Sequence, residues 1–216
     1  MSDTVIINFA NTAGWYRDGQ ERLRESILKH APHIDFMGYQ TEQEIGSPKH
    51  AESPYAFKVY AFAETLKKGY KKIIYCDASM YMVASPDPLL KTLSERGYIM
   101  EEAGHWLGSW ANEESLKYFN LTREDAMKIP MFSAGFLGLN FNKEICREFF
   151  ARWKNSCEAG IFKGSWKDHR HDMTCATAIS NKLQMQYIKG GTYLSYIGSG
   201  YGQPGHTSIF HLKPTV

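Results

Sequence analysis

The chain has little cysteine, and none of it is spaced as a metal site requires. No Cys-x-x-Cys pair occurs, which argues against zinc bound through thiolates. Isolated thiols inside predicted strands and helices are typical of buried, reduced cysteines in a reducing compartment. The four residues concerned are Cys76, Cys146, Cys157 and Cys175.

An excess of charge of one sign is also lacking. The formal net charge is +2 over 216 residues, so no strong field attracts nucleic acid or anionic membrane. No stretch approaches the roughly 18 apolar residues that a membrane span needs. Residues 1–4 have neither the charged nor the apolar region of a signal peptide. We therefore expect a cytoplasmic protein with no membrane span and no strong nucleic-acid patch.

Aromatic residues, in contrast, are plentiful. They make up 14% of the chain, with 13 Tyr, 12 Phe and 5 Trp. One interpretation is a well-filled core, and the other is a cleft lined with rings, which sugar and base ligands often require. The length suits one domain, and we expect residues 1–216 to form it.

The order of apolar runs predicts an α/β fold. We expect strands over residues 4–9, 33–39 and 71–76, with a helix over 18–30 between the first two. A second helix is predicted to begin at Ser53-Pro54, with Ser53 as its cap and Pro54 at its first position. Gly69 ends that helix. This β-α-β-α-β order indicates an open, mostly parallel sheet flanked by helices.

The second half of the chain is less regular. A strand is predicted over residues 131–140, a helix capped by Asn142 follows it, and a last helix covers residues 172–183.

The carboxyl end of the strand over residues 71–76 is the first candidate site. Asp77 follows that strand directly, and Ser79 comes two residues later. Ligands of open α/β sheets bind at the carboxyl ends of strands. A carboxylate and a hydroxyl there suit a hard divalent cation held against a phosphate. The alternative is that Asp77 only caps the following turn.

Four further segments carry candidate residues, each with a plain structural alternative. Lys58, early in its helix, could meet a phosphate or be solvated. Residues 133–135 are small and would let backbone approach a ligand. The remaining candidates are His169, His171 and Asp172 at a helix start, and His211 and Lys213 near the end of the chain.

Taken together and in order, these segments resemble the GT-A glycosyltransferases, the nucleotide-diphospho-sugar transferase superfamily. The best-matching part covers residues 53–58, then Gly69-Tyr70, then residues 73–79. It is similar to the segment that runs from a nucleotide-contacting helix into the metal-binding Asp-x-Asp strand end. Residues 132–138 resemble the segment that faces the donor sugar. Residues 169–172 and 210–214 resemble the catalytic helix start and the late element that closes over the diphosphate.

The resemblance implies a GT-A-like fold and a nucleoside diphosphate sugar as donor, with UDP-sugars foremost. It also implies a role for each matching position. Asp77, Ser79 and His211 would bind Mn²⁺ or Mg²⁺, and His169, His171 and Asp172 would be catalytic. The positions that would contact the donor are Asn8, Ala10, Asn11, Lys58, Asp77, Ala78, Ser133, Ala134, Gly135 and Lys213, the first three of them at the base and ribose.

The sequence departs from the family pattern at Ser79, where a second carboxylate is usual, and its late element lacks a Gly and a Trp. Two alternatives stay open, and the departure at Ser79 motivates the first of them. One is a non-catalytic module that binds nucleotide sugars or glycans. The other is a small metal-dependent hydrolase built on His169, His171 and Asp172. The acceptor is not predicted, and a glycan, a protein, a lipid-linked sugar and a modified base all remain possible.

Overall fold

The computed structural model describes residues 3–11, 14–196 and 209–212, and its main feature is a five-stranded sheet. The strands in this part of the chain are β1 (Thr4–Phe9), β2 (Asp35–Tyr39), β3 (Lys72–Cys76), β4 (Met80–Met82), β5 (Tyr98–Trp106), β6 (Pro130–Asn140), β7 (Leu194–Tyr196) and β8 (Phe210–Leu212). The helices are α1 (Trp15–His30), α2 (Glu42–Ile45), α3 (Ala56–Lys67), α4 (Asp87–Arg96), α5 (Leu107–Trp110), α6 (Glu113–Tyr118), α7 (Arg123–Ala126), α8 (Glu144–Glu158) and α9 (His171–Lys182).

The central sheet has the strand order β2-β1-β3-β6-β5. Strand β1 pairs in parallel with both β2 and β3, whereas β6 is antiparallel to β3 and to β5. Four strands therefore run in one direction and β6 runs in the other. This arrangement confirms the predicted α/β fold with an open, mostly parallel sheet.

Both faces of this sheet are covered. Successive side chains of a strand point to opposite faces, and in this sheet apolar side chains lie on both. Val5 and Ile7 of β1 belong to a core with Val59 and Phe62 of α3. Ile6 points to the opposite face, where a second core includes residues of α1 and α4.

A second, smaller sheet follows directly after the 77–79 turn. Its order is β4-β8-β7, and β4 begins at Met80. The sequence did not predict this sheet. The register pairs Tyr81 of β4 with His211 of β8, so the chain near its end returns to a strand that starts one residue after Ser79.

Two predicted helix caps are wrong. Helix α3 begins at Ala56, and its N-cap is Tyr55, which has a φ of 60° and no capping side chain. Ser53 and Pro54 lie in the turn before it, where the Ser53 hydroxyl faces the Cys157 thiol instead of free helix amides. Lys143, not Asn142, precedes α8. Gly69 follows α3 with a φ of 97°, as a residue that ends a helix in the left-handed conformation should.

In the part of the chain that the structure describes, no helix combines the length and apolar character that a membrane crossing demands.

Candidate active site

The site lies at the edge of the sheet where β1 and β3 end. Because β6 is antiparallel, its beginning lies at the same edge, and Cys76 pairs with Phe136. The Asp77 amide donates a hydrogen bond to the Gly135 carbonyl at 2.9 Å. This pairing brings the predicted residues 133–135 to the predicted strand end at Asp77, although the two segments are far apart in sequence.

Gly135 leaves room for the Asp77 carboxylate at this point of β6. A Cβ built there would lie 2.2 Å from the Asp77 Oδ2, which is well inside van der Waals contact. The absence of a side chain therefore allows the Asp77 carboxylate to lie flat against the β6 backbone.

Lys58 joins the two acidic residues of the site. Its ammonium lies 3.1 Å from the Asp172 Oδ2 and 3.7 Å from the Asp77 Oδ1, and donates to the Ala134 carbonyl at 3.2 Å. The side chain is only 5% exposed. Lys58 is thus neither solvated nor free to meet a phosphate, because it is held between two carboxylates.

The electrostatics of this cluster follow from burial and pairing. Burial by itself lowers the pKa of Lys58, but Asp172 and Asp77 outweigh it and raise that pKa above its ordinary value. Burial raises the pKa of Asp172, and the neighbouring ammonium opposes this effect. Asp77, whose side chain is 40% exposed, is the carboxylate of the pair that faces open space.

A first cavity of about 320 Å³ opens beside the end of β1. It reaches Asp77, Ala78 and Ser79 on one side and Ala10 and Asn11 on the other. Most of its remaining wall is aromatic, and the rings come from β1 and β3, from the start of α1, and from the segment before and within α3. They are Phe9, Trp15, Tyr16, His50, Tyr55, Phe57 and Tyr75.

A second cavity, of about 220 Å³, adjoins the first. Asp77 and Tyr55 line both cavities, so the two share a wall. The wall of the second cavity carries more charged side chains than that of the first. Its lining comprises Lys58, Ser133, Ala134, Gly135, Trp166, Arg170, His171, Asp172 and Met173 in addition to the shared pair.

Two residues near the shared wall have unusual backbone conformations. Tyr55 and His171 have φ values of 60° and 45°, and neither is glycine. Their rings stack at 5.4 Å between centroids. The two residues stand at the starts of α3 and α9, so both helices begin at the cavities. Strained backbone of this kind is concentrated at ligand sites.

Two predicted site residues lie behind the cavities instead of on their walls. Asn8 is fully buried, where its amide donates to the Cys76 carbonyl and its oxygen accepts from Gln20. It ties β1 to β3 and α1, and it lines neither cavity. His169 is also fully buried, with its Nε2 at 2.9 Å from the Ile161 carbonyl oxygen. Burial lowers the pKa of His169 to about 4.

The two histidines do not converge as ligands of a hydrolase metal. His171 places its Nδ1 at 2.7 Å from the Phe162 carbonyl oxygen, and His169 uses a different carbonyl. Within residues 3–11, 14–196 and 209–212, no three His, Cys, Asp or Glu side chains form a group that could hold a metal ion. This geometry does not favour the hydrolase alternative.

For a hard cation, Asp77 and Ser79 offer one carboxylate and one hydroxyl on the wall of the first cavity. These oxygens fit Mn²⁺ or Mg²⁺, although two protein ligands leave most positions to water or to a bound diphosphate. The side chain of His211 and the whole of Lys213 lie outside the described residues.

Sequence reasoning missed most of the cavity walls. It did not single out the rings of the first cavity or Trp166 in the second, and it gave Arg170 no role of its own. The high aromatic content was the available signal, since it allowed for a ring-lined cleft. It could not say which rings belong to the cleft, because the walls are assembled from distant segments.

The fold is GT-A-like and is similar to the folds of solved glycosyltransferases. The structure is similar to that of a glycosyltransferase involved in the glycosylation of the major capsid of PBCV-1. The TM-score is 0.60 at 13% identity, over 99% of this chain and 94% of that one. It is also similar to mouse xyloside xylosyltransferase 1 in its apo form, with a TM-score of 0.55 at 10% identity over 99% of both chains. No protein-family model and no curated protein sequence matches the chain.

Proposed function

We propose that the protein is a glycosyltransferase that moves a sugar from a nucleoside diphosphate sugar, with UDP-sugars as the first candidates, to an acceptor hydroxyl. The observation that carries the proposal is the position of Asp77, which lies on the wall between a ring-lined cavity and a more highly charged one. A donor has a flat base that can stack on rings, then a diphosphate, then a polar sugar, which is the order of ring-lined cavity, Asp77 wall and second cavity. Similarity to glycosyltransferases over nearly the whole chain supports the same conclusion.

In this assignment the base and ribose occupy the first cavity, between the end of β1 and the rings of α1 and α3. Stacking on aromatic side chains suits a nucleobase because every base has an apolar face. Ala10, Asn11 and Ala78 would contact the nucleoside from the strand ends. Asn8 would act indirectly, by fixing the ends of β1 and β3.

The diphosphate is assigned to the wall at Asp77 and Ser79. These two residues would hold a divalent cation there, which would offset the negative charge of the leaving diphosphate. Lys58 in its present contacts cannot offset the charge of the diphosphate, because its own charge is already shared between Asp77 and Asp172. Its role is to hold both carboxylates in place.

The transferred sugar is assigned to the second cavity, beside Ser133, Ala134 and Gly135. Asp172 has one oxygen on Lys58, and the residue lines this cavity, so its carboxylate can accept hydrogen bonds from sugar hydroxyls. In the reaction, the acceptor oxygen forms a bond to the anomeric carbon and the bond to the diphosphate oxygen breaks. The acceptor hydroxyl loses its proton to a carboxylate or to solvent.

Release of nucleoside diphosphate from a panel of UDP- and GDP-sugars, with Mn²⁺ or Mg²⁺ present, tests the proposal. Slow donor hydrolysis, or faster release when glycan acceptors are added, is expected. Asp77→Asn should reduce the rate at least about a hundredfold, as loss of a charge-stabilising group does. Asp87→Asn, at an exposed position outside both cavities, is the matched control.

Equal rates in the protein and in Asp77→Asn would contradict the assignment of the site. Donor binding without any release, for every donor, would instead favour a non-catalytic nucleotide-sugar-binding module.

A further inference from the structure

Trp166 and Arg170 form an outer lip on the second cavity that the assignment of the donor does not use. Both residues line this cavity. Trp166 is 60% exposed, whereas Asp172 at the inner end is almost completely buried. The lip is therefore the solvent side of the cavity, and the donor sugar is assigned to its inner side.

The Arg170 guanidinium is held by rings. It lies 3.8 Å from the ring centroid of Trp110 and 5.0 Å from that of Trp166. The backbone supports this stack, because the Arg170 amide donates to the Trp110 carbonyl at 3.0 Å and the Thr174 hydroxyl donates to the same oxygen at 2.8 Å. The side chain is thus placed by packing on Trp110 and Trp166.

The charge of Arg170 has no acidic counterpart in the part of the chain that the structure describes. Among the described residues, no carboxylate lies within ion-pair distance of its guanidinium, and no side-chain or backbone oxygen accepts from it. Elsewhere in the chain Arg24, Arg123 and Arg152 each pair with a glutamate. Lys58, the other cation of this cavity, is already neutralised by two acids. Arg170 is therefore a preplaced cation with its donors available to a ligand.

We propose that Trp166 and Arg170 form the acceptor subsite, and that the acceptor is a saccharide that carries an anionic group, a carboxylate or a phosphate. This inference rests on the proposed function. The exposed face of Trp166 offers a flat apolar surface for a pyranose ring. The planar fork of Arg170 matches the two oxygens of a carboxylate or phosphate, which an ammonium would bind only as a point charge.

The test is a titration of the ¹⁵N-labelled protein, saturated with UDP and diamagnetic Mg²⁺, with matched saccharides. The chain has five tryptophans, so the Trp166 indole signal is assigned by comparison with Trp166→Phe. Methyl glucuronoside, methyl glucoside and glucose 6-phosphate share a pyranose ring and differ in charge. Inorganic phosphate is added separately, to tell recognition of a saccharide from binding of a free anion.

The expected result is a saturable shift of the Trp166 indole signal with the anionic saccharides. The neutral glucoside and inorganic phosphate should bind at least about tenfold more weakly, as loss of a charge-assisted hydrogen bond or of the stacking ring implies. Arg170→Met should remove the preference for the anionic saccharides. Trp166→Ala, in which binding is measured by calorimetry because its indole signal is lost, should weaken binding of all three. Trp106→Ala, which removes an exposed ring outside both cavities, should not. The affinity for UDP should stay unchanged in all of these variants.

Three results would overturn the inference. One is absence of any saccharide shift in protein that binds UDP. The second is equal binding of the charged and neutral sugars. The third is a loss of UDP affinity in Arg170→Met, which would assign Arg170 to the donor diphosphate. Failure of the protein to bind either UDP or GDP would instead reject the proposed function.

Discussion

Lys58 is the side chain on which the arrangement of the acidic residues depends. It is buried, and it touches a carboxylate on either side and a carbonyl of β6. The sequence did not predict the burial of Lys58. The residue lies outside the apolar face of α3, so a solvent-exposed position was equally consistent with the sequence. The cost of burying its charge is offset by Asp172, which is far away in the chain. Single-sequence periodicity contains no information on such a partner.

Removal of the Lys58 charge should be costly. Lys58→Met leaves Asp172 buried without a cation, and we expect the free energy of unfolding to fall by roughly 3–5 kcal/mol. Lys58→Met combined with Asp172→Asn should recover much of that loss. Lys67→Met, on the same helix at a side chain that is 72% exposed, should change stability by about 0.5 kcal/mol or less. Urea unfolding at pH 7 measures all three.

The same variant should respond to pH. Burial raises the pKa of Asp172, and loss of the Lys58 charge should raise it further. An acid with a folded-state pKa above the unfolded value binds more protons when the protein is folded. The destabilisation that this acid causes therefore decreases as the pH falls. The destabilisation by Lys58→Met should thus be smaller at pH 5 than at pH 7. An equal or larger destabilisation at pH 5 would mean that Asp172 is not the group left unpaired.

His169 should make the protein sensitive to acid. Burial lowers its pKa to about 4 from an ordinary value of 6.5, so the neutral form stabilises the fold above pH 6.5 and this contribution is lost as the pH falls toward 4. We expect protonation of His169 to lower the free energy of unfolding by about 2 kcal/mol between pH 7 and pH 4.5. In His169→Gln the loss of stability over that interval should be smaller by this amount. His33→Gln, at an exposed imidazole, is the control, and an identical slope in both variants would contradict the assignment.

The elements that matter most for the site are β3, β6 and the starts of α3 and α9. The strand ends at Cys76 and Asn140 were predicted from apolar runs bounded by turn residues, and both are confirmed. Helix starts were harder to predict. Tyr55 and His171 begin their helices from left-handed backbone that tertiary packing imposes, and neither residue type indicates such a conformation.

Strand β6 should tolerate no side chain at Gly135 without a loss of donor binding. A Cβ there would force the Asp77 carboxylate away from the β6 backbone, because the two would be 2.2 Å apart. We expect Gly135→Ala to weaken nucleotide binding about tenfold or more while the protein stays folded, measured by calorimetry and circular dichroism.

Gly69→Ala is the matched control for that change. It strains a left-handed residue after α3 with open space around it, so it should reduce stability by about 1 kcal/mol and leave nucleotide affinity unchanged. If both variants lost nucleotide affinity equally, the effect of Gly135→Ala would reflect stability and not the position of Asp77.

At the level of the whole molecule, Glu101 links the two sheets. It lies on β5, is almost fully buried, and accepts hydrogen bonds from the backbone amides of Gly191, Tyr193 and Leu194. The last of these begins β7. This carboxylate therefore attaches the small sheet to the central one. The sequence predicted neither the small sheet nor this contact, since both depend on short strands brought together from distant segments.

Replacement of this carboxylate should loosen the small sheet before the central one. Glu101→Gln places an amide group against backbone donors, and we expect hydrogen exchange in β7 to become at least about tenfold faster. Exchange in β1 and β3 should change little. Glu102→Gln, the exposed neighbour, controls for the loss of charge. Uniform acceleration across both sheets would show that Glu101 contributes to global stability alone.

The central claim is that the two adjoining cavities form one nucleotide-sugar site with Asp77 on their common wall. Calorimetric titration with UDP and GDP, with and without Mn²⁺, tests it most directly in the protein and in Asp77→Asn. The account predicts saturable binding of one nucleotide that strengthens with Mn²⁺ and is at least about tenfold weaker in Asp77→Asn. Absence of nucleotide binding under every condition, or equal binding by Asp77→Asn, would contradict it.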